Sequence, residues 1–208
     1  MPARNVIKQY GEREYYHVYN RGVNKQNIFL EADDYWYFLS LMKRHLSPEI
    51  STDKYGRKVP DYSDKIELSA FCLMPNHYHM LVYLHEPDGL ALMMRSAMTA
   101  YVMYFNKKYK RVGGLFQGVF LASRITSDYY LWHVSRYIHL NPIDIGEDFT
   151  SYPYSSIDYY KGDKQAKWLH EERLVETSKE RDDYIRFVAD YKEMRADLNH
   201  LKKILAST

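Results

Sequence analysis

Cysteine is all but absent: Cys72 is the single one in 208 residues. One thiol cannot close an internal disulfide, and its apolar neighbours point to a buried side chain in a reducing compartment. Also missing is any apolar run near the ~20 residues that a membrane helix requires. The opening stretch, MPARNVIKQYGEREYYH, lacks the apolar core of a signal peptide. These absences lead us to expect a soluble, cytoplasmic protein with no membrane contact. Charge of one sign is lacking too: the formal net charge is only +2, with a pI near 8.4. So small an excess neither demands nor excludes a nucleic-acid partner; the placement of the charge decides. No internal repeat or low-complexity tract is visible.

What abounds is aromatic, with 22 tyrosines against 8 phenylalanines and 3 tryptophans. A functional tyrosine must therefore be chosen by position, not by presence. The segment 15–21, YYHVYNR, is rich in strand-forming residues and is stopped by Gly22. Its alternation puts Tyr16, Val18 and Asn20 on one face and Tyr15, His17, Tyr19 and Arg21 on the other. From Glu31 to about Leu46, Tyr35, Phe38, Leu39 and Met42 share a helical stripe behind an acidic first turn. Residues 47–65 are polar, with two prolines and one glycine, and read as an inserted excursion with a hairpin about Tyr55-Gly56. Strands are expected at Ile66–Met74 and Tyr78–Leu84, separated by Pro75-Asn76. Pro87-Asp88-Gly89 opens a second helix, whose stripe runs from Leu90 to Phe105 and whose last turns carry Lys107, Lys108, Lys110 and Arg111. A fourth strand is expected over Phe116–Ile125. Thr126 or Ser127 then caps a third helix that must stop near Asn141, because Pro142 follows.

The order β-α-β-β-α-β-α contains the split βαβ arrangement of a ferredoxin-like α+β fold, an antiparallel sheet with helices on one face. In that topology the first strand lies beside the third. Residues 1–14 read as a loose arm, 15–157 as the main domain with 47–65 inserted, and 158–208 as a connector with a helical extension. The tail is not a basic arm: nine basic and nine acidic side chains lie between Lys167 and Lys203.

Two features carry chemistry. In an extended chain His77 and His79 project from one face while Tyr78 enters the other. On the third helix His133, Tyr137 and Asn141 stand four apart on one stripe. Two imidazoles and an amide oxygen make an open three-ligand set for a divalent cation, with Tyr137 one turn from a ligand. Spacing alone leaves the plainer readings open. Strand histidines often serve packing, and Asn141 before a proline suits a helix end.

The stretches CLMPNHYHMLV (72–82) and SRYIHLNPI (135–143) resemble the HUH single-strand transposases of the IS200/IS605 type. The similarity is to their repeat-associated relatives, the REP-associated tyrosine transposases. YHVYNRG (16–22) and LFQGVF (115–120) resemble the same relatives in the expected order, so the likeness spans about residues 15–157. It implies that His77 and His79 are the HUH pair around a hydrophobic Tyr78, that Asn141 is the third metal ligand, and that Tyr137 is the nucleophile. It further implies Mg²⁺ or Mn²⁺ as cofactor and single-stranded or hairpin DNA as partner. The implied reaction is cleavage and rejoining through a 5′-phosphotyrosine link and a free 3′-OH.

For DNA contacts, Lys107, Lys108, Lys110 and Arg111 with Tyr109 among them mix cations with an aromatic ring, as phosphate tracking and base stacking require. A solvated helix end explains the same residues. Asn20 and Arg21, at the end of the strand beside the histidines, and Arg124, before the third helix, complete the candidates. His133 is read as a packed histidine. A domesticated hairpin-DNA-binding protein that no longer cuts is the alternative function, and a replication-initiation or relaxase-type HUH nuclease is a further one. Monomer and homodimer both remain open, as does whether the helix completes its own site or a partner's.

Overall fold

The computed structural model describes residues 10–49, 52, 56, 58–176 and 178–191. Alternation at the first strand and helical periodicity after it produce β1 (Glu14–Arg21) and α1 (Ala32–Leu46). They are followed by β2 (Ile66–Met74), β3 (His77–Leu84), α2 (Gly89–Lys108), β4 (Leu121–Ile125) and α3 (Asp128–His139). Short helices α4 (Ile157–Lys161) and α5 (Ser178–Ala189) come last. The sheet order is β2-β3-β1-β4 and every pairing is antiparallel, so β1 does lie beside β3. Of the 47–65 excursion, Thr52 and Lys58 form an isolated antiparallel bridge, and the expected hairpin tip at Tyr55 lies outside the described residues.

Helices pack on both faces of the sheet. On one, Tyr16, Val18, Leu68, Phe71, Tyr78 and Met80 meet Phe38 and Met42 of α1 and Met93, Ala97, Tyr101 and Phe105 of α2. The opposite face carries Ala70, Cys72, Met74 and Leu81 against Leu131, Val134 and Ile138 of α3. A bulge between Leu68 and Ala70 lets Leu68 and Phe71 share a face three residues apart, where strict alternation forbids it. Burying a side chain such as Phe38 (0% exposed) stabilises the fold by about 3 kcal/mol, so these two stripes are its main support.

Three expectations change. The fourth strand is five residues long, because 116–120 leave the ladder and bond instead to the end of β1: Gln117 N–H donates to the Arg21 carbonyl and Asn20 Nδ2 to that of Gly118. Helix α3 ends at His139, and Asn141 opens a 3₁₀ turn through Ile145 with Pro142 inside it. The two helices α1 and α2 lie on one face as expected and α3 covers the other, to which the chain beyond 157, expected as a separate extension, contributes. Tyr160, Tyr184 and Val188 are fully buried against α3 and β2, so the expected extension is part of this layer as far as residue 189. The tail beyond 191 and the arm over 1–9 lie outside the described residues.

Candidate active site

Strand register builds the site. Tyr19 of β1 pairs with His79 of β3, and Arg21 with His77, so the histidines and both β1 partners share the face that α3 covers. Tyr78 points the other way and is fully buried. Ser127 caps α3, its hydroxyl accepting the Tyr130 N–H at 3.2 Å. The helix then lies across β2 and β3 and brings Tyr137 edge-on to His79, with ring centroids 5.3 Å apart.

Two asparagine amides orient the ligands. Asn76 Nδ2 donates to the Lys25 carbonyl at 3.1 Å, which turns its Oδ1 to His77 Nδ1 at 2.6 Å. In the neutral ring Nδ1 then carries the proton, and Nε2 presents a lone pair. Asn141 Nδ2 donates to the Tyr137 carbonyl at 2.8 Å and so caps the end of α3, leaving Oδ1 to face His77 Nε2 at 3.5 Å. The helix-end role and the ligand role of Asn141 are therefore one arrangement. Two acceptors converging at that distance, next to a second imidazole, suit a divalent cation. The donor set fits the implied metal.

His79 is held from β1: its Nδ1 lies 2.9 Å from Nε2 of His17. Burial pushes the His17 ring down to about 4, so it is neutral near pH 7 and can accept the His79 proton. That leaves the lone pair of the His79 ring on Nε2, the tethered arrangement usual in metal-binding histidines. His17 and Asn76 are the residues that sequence reasoning missed. Alternation had put His17 on the right face, but only the register shows that it meets His79.

The cleft has a volume of about 440 Å³ and gathers His77, His79, Tyr137, Asn141, Asn20 and Arg21, together with Gln117, Gly118 and Asp144. Of the three candidate ligands, Asn141 (1% exposed) and His79 (7%) are buried and His77 is half-buried, whereas Tyr137 is 43% exposed. The other proposed DNA contacts fall elsewhere. Lys108 is bound to the buried carboxylate of Asp34 at 2.9 Å and to Glu31 at 3.2 Å, so its charge is already matched. Arg111 reaches Gln26, whose amide touches the Leu115 carbonyl, near the cleft's outer loop. Lys107 and Lys110 are exposed on the same helix end. Arg124 pairs with Glu14 at the opposite end of β4 from the histidines. His133 accepts a hydrogen bond from Arg136 at 2.6 Å and is not among the ligands. Among the described residues no helix is long and apolar enough to cross a membrane.

Residues 55–141 match the family described as "Transposase IS200 like", a segment that includes His77, His79, Tyr137 and Asn141 but begins after YHVYNRG. No curated protein matches the chain. Among solved structures, one described as a REP-associated tyrosine transposase bound to a REP hairpin superposes with a TM-score of 0.50 at 16% identity, covering 77% of this chain and 87% of that one. The fold is thus shared with that protein, and residues 55–141 are similar to the IS200-like transposase family.

Proposed function

We propose that the protein is a metal-dependent strand transferase that cuts single-stranded DNA beside hairpins, with Tyr137 as nucleophile. The observation that carries this reading is the convergence of His77 Nε2, the Asn141 amide oxygen and the His79 ring on one cleft with the Tyr137 ring beside them. A divalent cation held by His77, His79 and Asn141 would polarise the scissile phosphate and ease loss of the phenolic proton. The chain's own residues do the rest. Tyr137 is exposed enough to meet a strand, and the tether of Asn141 to its backbone carbonyl holds that amide close to the base of the tyrosine. Its phenolic oxygen forms the new bond to phosphorus as it gives up its proton to solvent. The P–O bond to the 3′ oxygen breaks, leaving a 5′-phosphotyrosine and, after protonation, a 3′-OH. The reverse attack by a 3′-OH rejoins strands, so no external energy source is needed. Arg21 at the cleft rim is positioned to bind phosphate.

That the neighbouring fold was solved with a REP hairpin supports hairpin DNA as the partner. The cluster is complete within one chain, so a monomer suffices for cleavage in this reading. The test uses end-labelled hairpin DNA with single-stranded flanks, incubated with Mg²⁺ or Mn²⁺ or with a chelator. A denaturant-stable protein–DNA adduct should form only with metal and vanish in Tyr137→Phe. An adduct in Tyr137→Phe would move the role to another tyrosine. Binding without any adduct would favour the non-cleaving hairpin binder.

A further inference from the structure

Helix α3 packs over β2 and β3 and leaves the β1–β4 half of that sheet face open. A second cavity of about 520 Å³ occupies this gap. Its floor includes Tyr19 of β1 and Ser123 of β4, and its wall is formed by Tyr130, His133 and Tyr137, spaced three and four apart along α3. Tyr137, Tyr19 and His79 border both cavities, so the proposed nucleophile stands between them.

The two cavities differ in chemistry. The cleft has Arg21 and Asp144 in its lining, whereas the second cavity has no Lys, Arg, Asp or Glu. A phosphate would find no fixed counter-charge there. What it offers is aromatic surface with polar edges: Tyr130 is 42% exposed, the Ser123 hydroxyl lies on the floor, and His133 has a fixed tautomer. Arg136 donates to His133 Nδ1, so in the neutral ring Nε2 keeps the proton and is a donor. A flat heterocycle with hydrogen-bonding edges fits this lining, as when unpaired bases stack on tyrosine and are read along their edges.

We propose that this cavity receives the unpaired base next to the scissile phosphate, stacked on Tyr130, so that the strand straddles Tyr137 with phosphate on one side and base on the other. This rests on the single-strand DNA reading above.

The experiment uses the full chain and hairpin DNA with single-stranded flanks, with adduct formation assayed in parallel to map any cut site. 2-Aminopurine is placed at each flanking nucleotide in turn. Quenching on binding is expected at one position adjacent to the cut. Tyr130→Ala should abolish that quenching and weaken affinity for flanked hairpin roughly tenfold or more, while Tyr130→Phe restores both. Affinity for the hairpin without flanks should not change in either variant. If the flanked hairpin is cut, yet no adjacent position is quenched or Tyr130→Ala binds it as the parent does, the base site is wrong and the nuclease reading stands. If Tyr130-dependent quenching occurs without any adduct, the base site stands and cleavage falls. Failure to bind flanked hairpin overturns both.

Discussion

Removing the Asp34 carboxylate should damage the protein far more than its place in a helix's first turn suggests. Asp34 is 0% exposed and accepts from five donors. Oδ2 takes the Leu30 N–H at 2.8 Å, the Glu31 N–H at 3.1 Å and the Tyr109 hydroxyl at 2.8 Å. Oδ1 takes Lys108 Nζ at 2.9 Å and the Tyr104 hydroxyl at 3.1 Å. One side chain thus ties the start of α1 to the end of α2. Burial by itself would raise its pKa, but these donors together outweigh it and hold the carboxyl below its ordinary value. Counting five charge-assisted bonds at about 1.5–3 kcal/mol each would reach or exceed the whole stability of an ordinary domain, so they cannot be additive. Breaking a buried pair costs about 3–5 kcal/mol, and this is the figure expected for Asp34→Ala. At roughly 2–4 °C per kcal/mol for a chain of this size, the melting temperature should fall by about 10 °C. Lys108→Gln should also lower it, by less, since four donors remain. Its hairpin affinity should keep the parent's salt dependence, whereas a lysine that contacts phosphate would lose close to one unit of slope on substitution. Thermal melts and salt-dependent binding of the same variants decide the matter. If Lys108→Gln melts with the parent but loses salt slope, the lysine serves DNA and the structural account is wrong.

Three further outcomes follow from the geometry. His17→Ala should weaken Mn²⁺ binding roughly 10- to 100-fold in a calorimetric titration of the DNA-free protein, because His79 loses its tether; an unchanged titration would remove His17 from the site. Gly22→Ala should lower both the melting temperature and adduct yield. Its φ of −61° is ordinary, but a Cβ there would lie 2.1 Å from the Gln26 carbonyl oxygen, and the Gly22 N–H donates to Asn76 beside His77. Parent-like melting with full adduct would show that this loop can relax. Glu67 is largely buried; burial would raise its pKa, but Arg173 and His85 outweigh that and bring it from 4.5 down to about 2. A lowered folded pKa means that the unfolded chain binds protons first. The pair's stabilisation, at most about 3 kcal/mol, is therefore complete above pH 4.5 and lost as pH falls towards 2. Denaturation against pH should show the parent ahead of Glu67→Gln at pH 7 and the gap closing in acid; a gap that persists at pH 2 would contradict the assignment.

How much of this could be read beforehand follows from what periodicity encodes. Alternation tells which face a side chain takes, so the shared projection of His77 and His79 and the burial of Tyr78 were legible. Helical spacing did the same for Tyr137 and Asn141. Neither period says what lies opposite. The tether from His17 to His79 depends on the β1–β3 register, and Lys108 looked like a free cation because its partner Asp34 is 74 residues away. The bulge before Ala70 and the departure of 116–120 from β4 answer to neighbours in space, and no local signal announced them.

The pattern of burial within the site has a physical reason of its own. A ligand set must be rigid before the cation arrives, or binding would have to order it. The proposed ligands His79 and Asn141 meet this condition: they are buried and hydrogen-bonded from β1 and from the end of α3. The proposed nucleophile has to meet a large substrate, and Tyr137 is exposed although its backbone carbonyl anchors Asn141. Joining the two through one helix end keeps the Asn141 amide in place while the tyrosine ring moves. Lengthening that connection by a residue between Tyr137 and Asn141 should therefore abolish adduct formation even where DNA still binds. Adduct at the parent's rate from such an insertion would mean that the nucleophile and the ligands need no common support.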